Sequence, residues 1–290
     1  MDYLYHILVI ALIYVIFASS LNLELGYAGL YNFGHVAFFA IGAYTSALLS
    51  LAGFSPAASM AIAVLCSAAS GALLAVPALR LSGDYFGIAT LAFGELARLF
   101  ALNERWLTKG PMGLPGIPRP LGIEAGISGI PVYFFFTVTI TAAVLLILRK
   151  TTMSPFGRAL KVVREDEFVA RAFGKNVFSL KVRAVAMGSL FAGLAGALYA
   201  HFVTYISPYD FSLNETILVL LCVVLGGKGT LSGPVLGAFV IILFQELLRF
   251  LPIPTDWGRF VSPIQGMIYG AVLVILMLKR PEGIIPEHRT

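Results

Sequence analysis

Charge is what this sequence has least of. Only 12% of its 290 residues are Asp, Glu, Lys or Arg, while 59% are hydrophobic, and the mean hydropathy is +0.89. Soluble domains carry ~25% charged residues, so a soluble globular protein is excluded and an integral membrane protein is indicated. The net charge of +5 gathers at one side of the apolar runs, so it speaks of topology and gives no support for nucleic-acid binding. Cysteine is also scarce. Cys66 and Cys222 both fall in apolar stretches without paired spacing, which indicates neither a disulfide framework nor a metal site. The histidines (His6, His35, His201, His288) are scattered. No phosphate-binding loop is present: Gly174-Lys175-Asn176 and Gly227-Lys228-Gly229 lack both the hydroxyl residue after the lysine and the earlier glycine. Nucleophile elbow, zinc motif and dinucleotide fingerprint are missing too. No catalytic residue, metal ligand or cofactor site is therefore expected. Glu24, Glu95 and His35 are too few to argue for proton-coupled transport. A basic leader region is lacking as well: Met1 and Asp2 run straight into apolar residues, which reads as a retained first span.

What is present is a series of apolar runs, each about long enough to cross a bilayer. They predict an all-α, polytopic integral membrane protein of about 8–10 transmembrane helices in a single domain over 1–290. Between the runs lies one long polar stretch, 149–183, holding Arg149, Lys150, Arg158, Lys161, Arg164, Arg171, Lys175, Lys181 and Arg183. Lys and Arg are retained on the cytoplasmic side, so this loop should be inside and fix the orientation of every span. Arg80, Lys228, Lys279, Arg280 and Arg289 then fall on the same side. Arg98, Arg105, Lys109, Arg119, Arg249 and Arg259 fall outside. The result is nine crossings with an outer N-terminus.

The polar loop has helix signals. Ser154 can cap a helix that opens on Pro155, Glu167 and Arg171 are four apart in the favourable order, and Gly174 reads as the stop. One helix over 154–174 is expected, with Phe156, Leu160, Val163, Phe168 and Ala172 on its apolar face and Arg158, Arg164, Glu165 and Asp166 among its charges. Such an element either docks a soluble partner or is a solvated basic loop that sets topology.

Two apolar runs are interrupted by glycine: LGYAGLYNFGH near the start and LGGKGTLSGPVLG near the end. Glycine lowers helix stability by about 1 kcal/mol relative to alanine, so the first helix should break over 21–34. The second break contains Gly226, Gly227 and Gly233. Paired interruptions of this kind point to a route through the membrane. Asn22, Glu24, Tyr27, Gly29, Asn32 and His35 are the accompanying residues. Their polar groups either line that route or merely satisfy the unwound backbone. Glu95 has Arg98 three residues on, which favours a paired structural carboxylate. Gly188, Ala192, Gly196 and Ala200 recur every fourth position, a stripe that lets another helix approach closely. The Gly/Pro-rich stretch 103–130 should carry little regular structure.

Together, LGYAGLYNFGHVAFFAIGAYT, ALRLSGDYFGIATLAFGE, GPMGLPGIP, SPFGRALKVVREDEFVARAFG, FAGLAGALYAHFVTYISP, VVLGGKGTLSGPVLGA and the terminal RPEG resemble the M-type permease subunit of the bacterial branched-chain amino-acid ABC importers. They cover nearly the whole chain in the family order. The resemblance implies a multi-pass subunit of the inner membrane, in contact with lipid. Its partners would be a second, homologous permease in a heterodimer, two cytosolic ATPase subunits that bind the ATP, and a periplasmic solute-binding protein. It also implies that 149–183 is a cytoplasmic loop with a coupling helix. The importers' E-A-A-x3-G pattern would place Phe168, Val169 and Ala170 before Gly174; the glutamate is absent there, and Glu165 and Glu167 lie upstream and adjacent. Branched-chain or other hydrophobic amino acids are the implied cargo, with urea, short amides or other amino acids as the alternative. A self-sufficient secondary transporter is the reading from a different class.

Overall fold

The computed structural model describes residues 2–81, 84–120, 129–249, 267, 268, 270–272, 274, 275, 278, 279 and 283–287. Among these, eight apolar helices define the architecture. Five are of membrane-crossing length and three are shorter. The ninth expected span, 261–278, lies mostly outside the described residues.

The break predicted over 21–34 is present but starts late: α1 (Asp2–Asn22) runs on past its first glycine as a π-helical turn, Leu23–Tyr27, and unwinds at 29–34. Packing overrides propensity here: every residue of the π turn is buried. A Cβ on Gly26 would stand 2.3 Å from the backbone nitrogen of Gly229, so the glycine serves a close approach between segments. After the unwound stretch come α2 (His35–Leu51) and α3 (Pro56–Ala78). The latter is capped by Ser55, whose hydroxyl accepts from the Ala58 N–H, with proline in the first turn where it costs least. The next helix, α4 (Asp84–Asn103), leads to a single turn, α5 (Arg105–Thr108).

The Gly/Pro-rich stretch carries more order than its composition promises. A 3₁₀ turn at Gly110–Met112 precedes β1 (Leu114–Pro115), which pairs antiparallel with β2 (Tyr205–Ile206), Leu114 opposite Ile206. His201 holds the loop, bonding Ser46 at 2.7 Å through Nε2 and the Pro118 carbonyl through Nδ1.

Helix α6 (Ile130–Met153) leads to α7 (Pro155–Glu165) and α8 (Glu167–Ala172), then α9 (Val177–Val203), α10 (Leu213–Gly226) and α11 (Gly233–Arg249). The hub is α9, packed against α1, α2 and α3. Its small-residue stripe is what permits this. A Cβ on Gly196 would meet the Phe39 carbonyl at 1.9 Å and one on Gly188 the Glu24 carboxylate at 2.0 Å, while Ala192 and Ala200 are fully buried.

Contacts at the helix ends give the direction of travel. His6 packs on Phe202 at the far end of α9, and Tyr3 donates to Glu246 of α11 at 2.6 Å. At the other end, Lys161 of α7 lies 5.2 Å over the Tyr27 ring. The α10 helix is short because it starts deep: Glu215 in its first turn accepts from Tyr14, midway along α1. The chain therefore dips into the bundle at Pro208–Phe211 before α10 begins.

Candidate functional site

Two regions matter: the polar loop at 149–183, and the node where the two glycine-rich segments meet.

In the polar loop, the Ser154 hydroxyl accepts from the N–H groups of Phe156 and Gly157 at 3.2 and 3.4 Å, so the predicted cap is present. The single helix expected over 154–174 is instead two. Asp166 adopts an extended conformation and caps α8 in turn, accepting from Phe168 and Val169 at 2.7 and 3.2 Å. A short acidic side chain competing with the backbone in this way starts a new helix rather than continuing the old one. Glu167 pairs with Arg171 at 3.4 Å and also with Lys181, tying α8 to α9. Gly174, at φ +70°, ends α8 as expected.

This break redistributes the apolar residues. Leu160 and Val163 are buried beneath α7, and Phe156 is half-buried against the core. Phe168 points the other way, 80% exposed, and Phe173 follows at 76%. The single apolar face containing both Leu160 and Phe168 therefore does not exist: the first secures the loop to the bundle, and the second faces away. Phe173 was not singled out by the sequence because it follows the expected face. Arg171 lies 5.9 Å over the Phe168 ring. Arg158 is exposed and donates to the Met153 carbonyl at 3.0 Å.

At the node, the two glycine-broken segments touch directly. Asn22 donates from Nδ2 to the Thr230 carbonyl at 2.7 Å and accepts from the Gly229 N–H at 2.9 Å. Glu24 and His35 are fully buried, 3.3 Å apart. Asn32 donates to Glu24 at 2.7 Å, and Ser20 bonds the other ring nitrogen of His35 at 2.8 Å. All these polar groups are inside the protein. Gly29 and Gly227 have φ of +70° and +118°, so the backbone at both needs glycine's freedom. Gly226 and Gly233 serve packing: a Cβ on Gly226 would stand 1.8 Å from the Gly233 carbonyl oxygen, which keeps α10 and α11 tight.

Arg164 joins loop and node. Its guanidinium donates to the Gly26 carbonyl and pairs with Glu165 and Glu287, each at 2.8 Å. Burial pulls its pKa down, but the two carboxylates outweigh that and leave it above the ordinary arginine value. Tyr27 completes the surroundings, nearly buried under Lys161.

A half-open cleft of about 250 Å³ lies beside the node, between α2, α4 and the start of α10. Phe33, Val36, Leu91, Phe211 and Leu213 make it apolar, with Thr216 inside and Glu95 at its edge. The Thr216 hydroxyl is buried without a hydrogen-bond partner among the described residues. Glu95 accepts from Arg98 at 3.0 Å, the pairing their spacing predicts. The dip at Pro208–Phe211 builds this cleft and was not anticipated. Glu215 and Thr216 sit in what reads as a plain apolar run.

A polytopic all-α bundle with a basic two-helix loop on one face and buried, glycine-broken segments behind it defines a membrane transport subunit. The chain belongs to the family described as the branched-chain amino acid transport system permease component, which it matches over residues 3–277. It is thus a transport permease component, a multi-pass protein of the inner membrane. It is 35% identical to the high-affinity branched-chain amino acid transport system permease protein LivM of Salmonella typhimurium, over 96% of this chain and 69% of that protein. It is 27% identical to the probable branched-chain amino acid transport permease protein LivM of Methanocaldococcus jannaschii, covering 95% and 91% of the two chains. The autoinducer 2 import system permease protein LsrC of Yersinia pestis is 27% identical over 77% of this chain and 62% of its own length. No solved structure matches.

Proposed function

We propose that this chain is the permease half of an ABC importer that carries branched-chain or other hydrophobic amino acids inward. A homologous permease completes the channel, two cytosolic ATPases bind the ATP, and a periplasmic protein delivers the solute. The observation that carries the reading is the 35% identity to a named branched-chain amino-acid permease over 96% of the chain. The exposed Phe168 and Phe173 on α8 and its exit are the anchors for an ATPase groove, because a docked helix depends on desolvated apolar side chains more than on rim charges.

The solute route in this reading runs along the apolar cleft. Asn22 and Asn32 are spent on the backbone and on Glu24, and Glu24 and His35 face each other in the buried interior, so none of the four is exposed to a solute. The cleft offers aliphatic and aromatic walls, and one unpartnered hydroxyl at Thr216 for a polar end. A carrier fed by a selective binding protein needs no more than that. Uptake of labelled leucine, glutamate and urea by the reconstituted complex tests the proposal. Leucine uptake that depends on ATP supports it, and uptake of urea alone overturns the cargo assignment.

A further inference from the structure

The chain's last described residues do more than trail from the final span. The N–H groups of Ile284 and Ile285 donate to the carbonyls of Leu225 and Gly226 at 2.8 and 3.0 Å. These are among the last carbonyls of α10, which have no partner within the helix. Gly283, at φ +73°, passes so close that a Cβ there would lie 2.6 Å from Gly227 backbone atoms. The tail is therefore seated on the end of α10 through its main chain.

From that seat, Glu287 reaches α7. One carboxylate oxygen pairs with Lys161, the other with Arg164 at 2.8 Å. The two basic residues are three apart on one helix and so share a face. Glu287 is only 17% exposed and Arg164 18%, which makes this pair less screened than a surface one. Arg164 also bonds the Gly26 carbonyl, and a Cβ on Gly229 would sit 2.6 Å from Glu287 and 2.8 Å from Arg164. Four segments converge here: the inner loop, the π turn of α1, the break after α10, and the tail.

We propose that Glu287 and Arg164 are a positioning pair, a latch by which the C-terminal tail holds the inner loop against the inner ends of α1 and α10, and which opens in each transport cycle. Movement of α7 pulls on the Gly26 carbonyl directly and on α10 through the tail, so one event at the loop reaches both broken segments. The tail thus adds a second link to the one that Asn22 already makes between the two segments.

The inference rests on the permease reading above, and its test separates the two. In the full complex, with exposed Cys66 replaced by serine, Lys161 and Glu287 are changed to cysteine and joined by a thiol-cleavable bismaleimide. The main-chain bonds of Ile284 and Ile285 keep the tail in place in this variant. Cross-linking is expected to be at least about fivefold slower with vanadate-trapped ATP than without nucleotide, the lower end of site-to-site coupling. The cross-linked complex should take up less leucine than the same variant after the linker is cleaved. In parallel, E287Q should lower leucine uptake by at least the same factor while the complex still assembles. Equal cross-linking rates in both nucleotide states, or normal uptake by the linked complex, would overturn the latch. If the unmodified complex transports no leucine, the cargo reading fails, and the nucleotide dependence of cross-linking still decides the latch.

Discussion

Asn22 and Thr230 are joined by a 2.7 Å hydrogen bond across 208 residues of sequence. The same amide takes the N–H of Gly229, so one side chain satisfies a donor and an acceptor of adjacent residues in a segment that has no ladder of its own. In a bilayer such groups must find partners within the protein.

N22A should therefore leave a buried N–H and a buried carbonyl unpaired, costing about 1–3 kcal/mol. The expected result is a lower melting temperature of the purified complex, with the inner loop still protected from protease. An unchanged melting temperature would mean that water or a neighbouring group replaces the amide.

Glycine positions should separate into two classes. G26A places a Cβ 2.3 Å from Gly229 N, and G226A places one 1.8 Å from the Gly233 carbonyl. Both contacts are to backbone and cannot yield, so neither variant should assemble normally. G174A meets nothing within 4 Å and should cost only the left-handed penalty, about 1–2 kcal/mol. Assembly yields by gel filtration should rank G174A far above the other two.

Docking and folding should also come apart within the inner loop. F168D and F173D replace exposed side chains and should leave permease assembly intact. Loss of one anchor should weaken ATPase binding by about 2 kcal/mol or more, roughly thirtyfold. L160D, by contrast, puts an unpaired charge at a fully buried position and should prevent stable expression of the permease itself. Co-purification of the ATPase with F168D at wild-type yield would remove α8 as the docking element.

Topology can be read with single cysteines on a Cys66-free background. M112C replaces a side chain that is 81% exposed on the outer loop and should react with membrane-impermeant maleimide on intact cells. K175C, exposed beside α8, should react only with permeant reagent. Ser207 on the outer side is buried at 6% and is a poor reporter.

Filling the cleft tests the route. L91W and T216L narrow it from opposite walls, and each should raise the concentration of leucine needed for half-maximal uptake. ATP hydrolysis by the partner subunits should change far less. Unchanged uptake by both would place the route elsewhere on this chain.

How much of this was legible beforehand depends on range. The sequence by itself determined the membrane class and the caps, and it set the orientation expected of the spans. Hydropathy, the distribution of Lys and Arg, and residues such as Ser154 and Gly174 act locally and need no knowledge of neighbours. It also marked the two glycine-rich segments as special. Only the tertiary structure decided what the marked residues do. Gly26 sits in a helix because Gly229, two hundred residues away, requires the space. Leu160 faces inward and Phe168 outward because Asp166 restarts the helix between them. Glu287 matters because the stretch 283–287 lies beside α7. Each outcome is set by contacts of long sequence separation, which neither composition nor periodicity encodes.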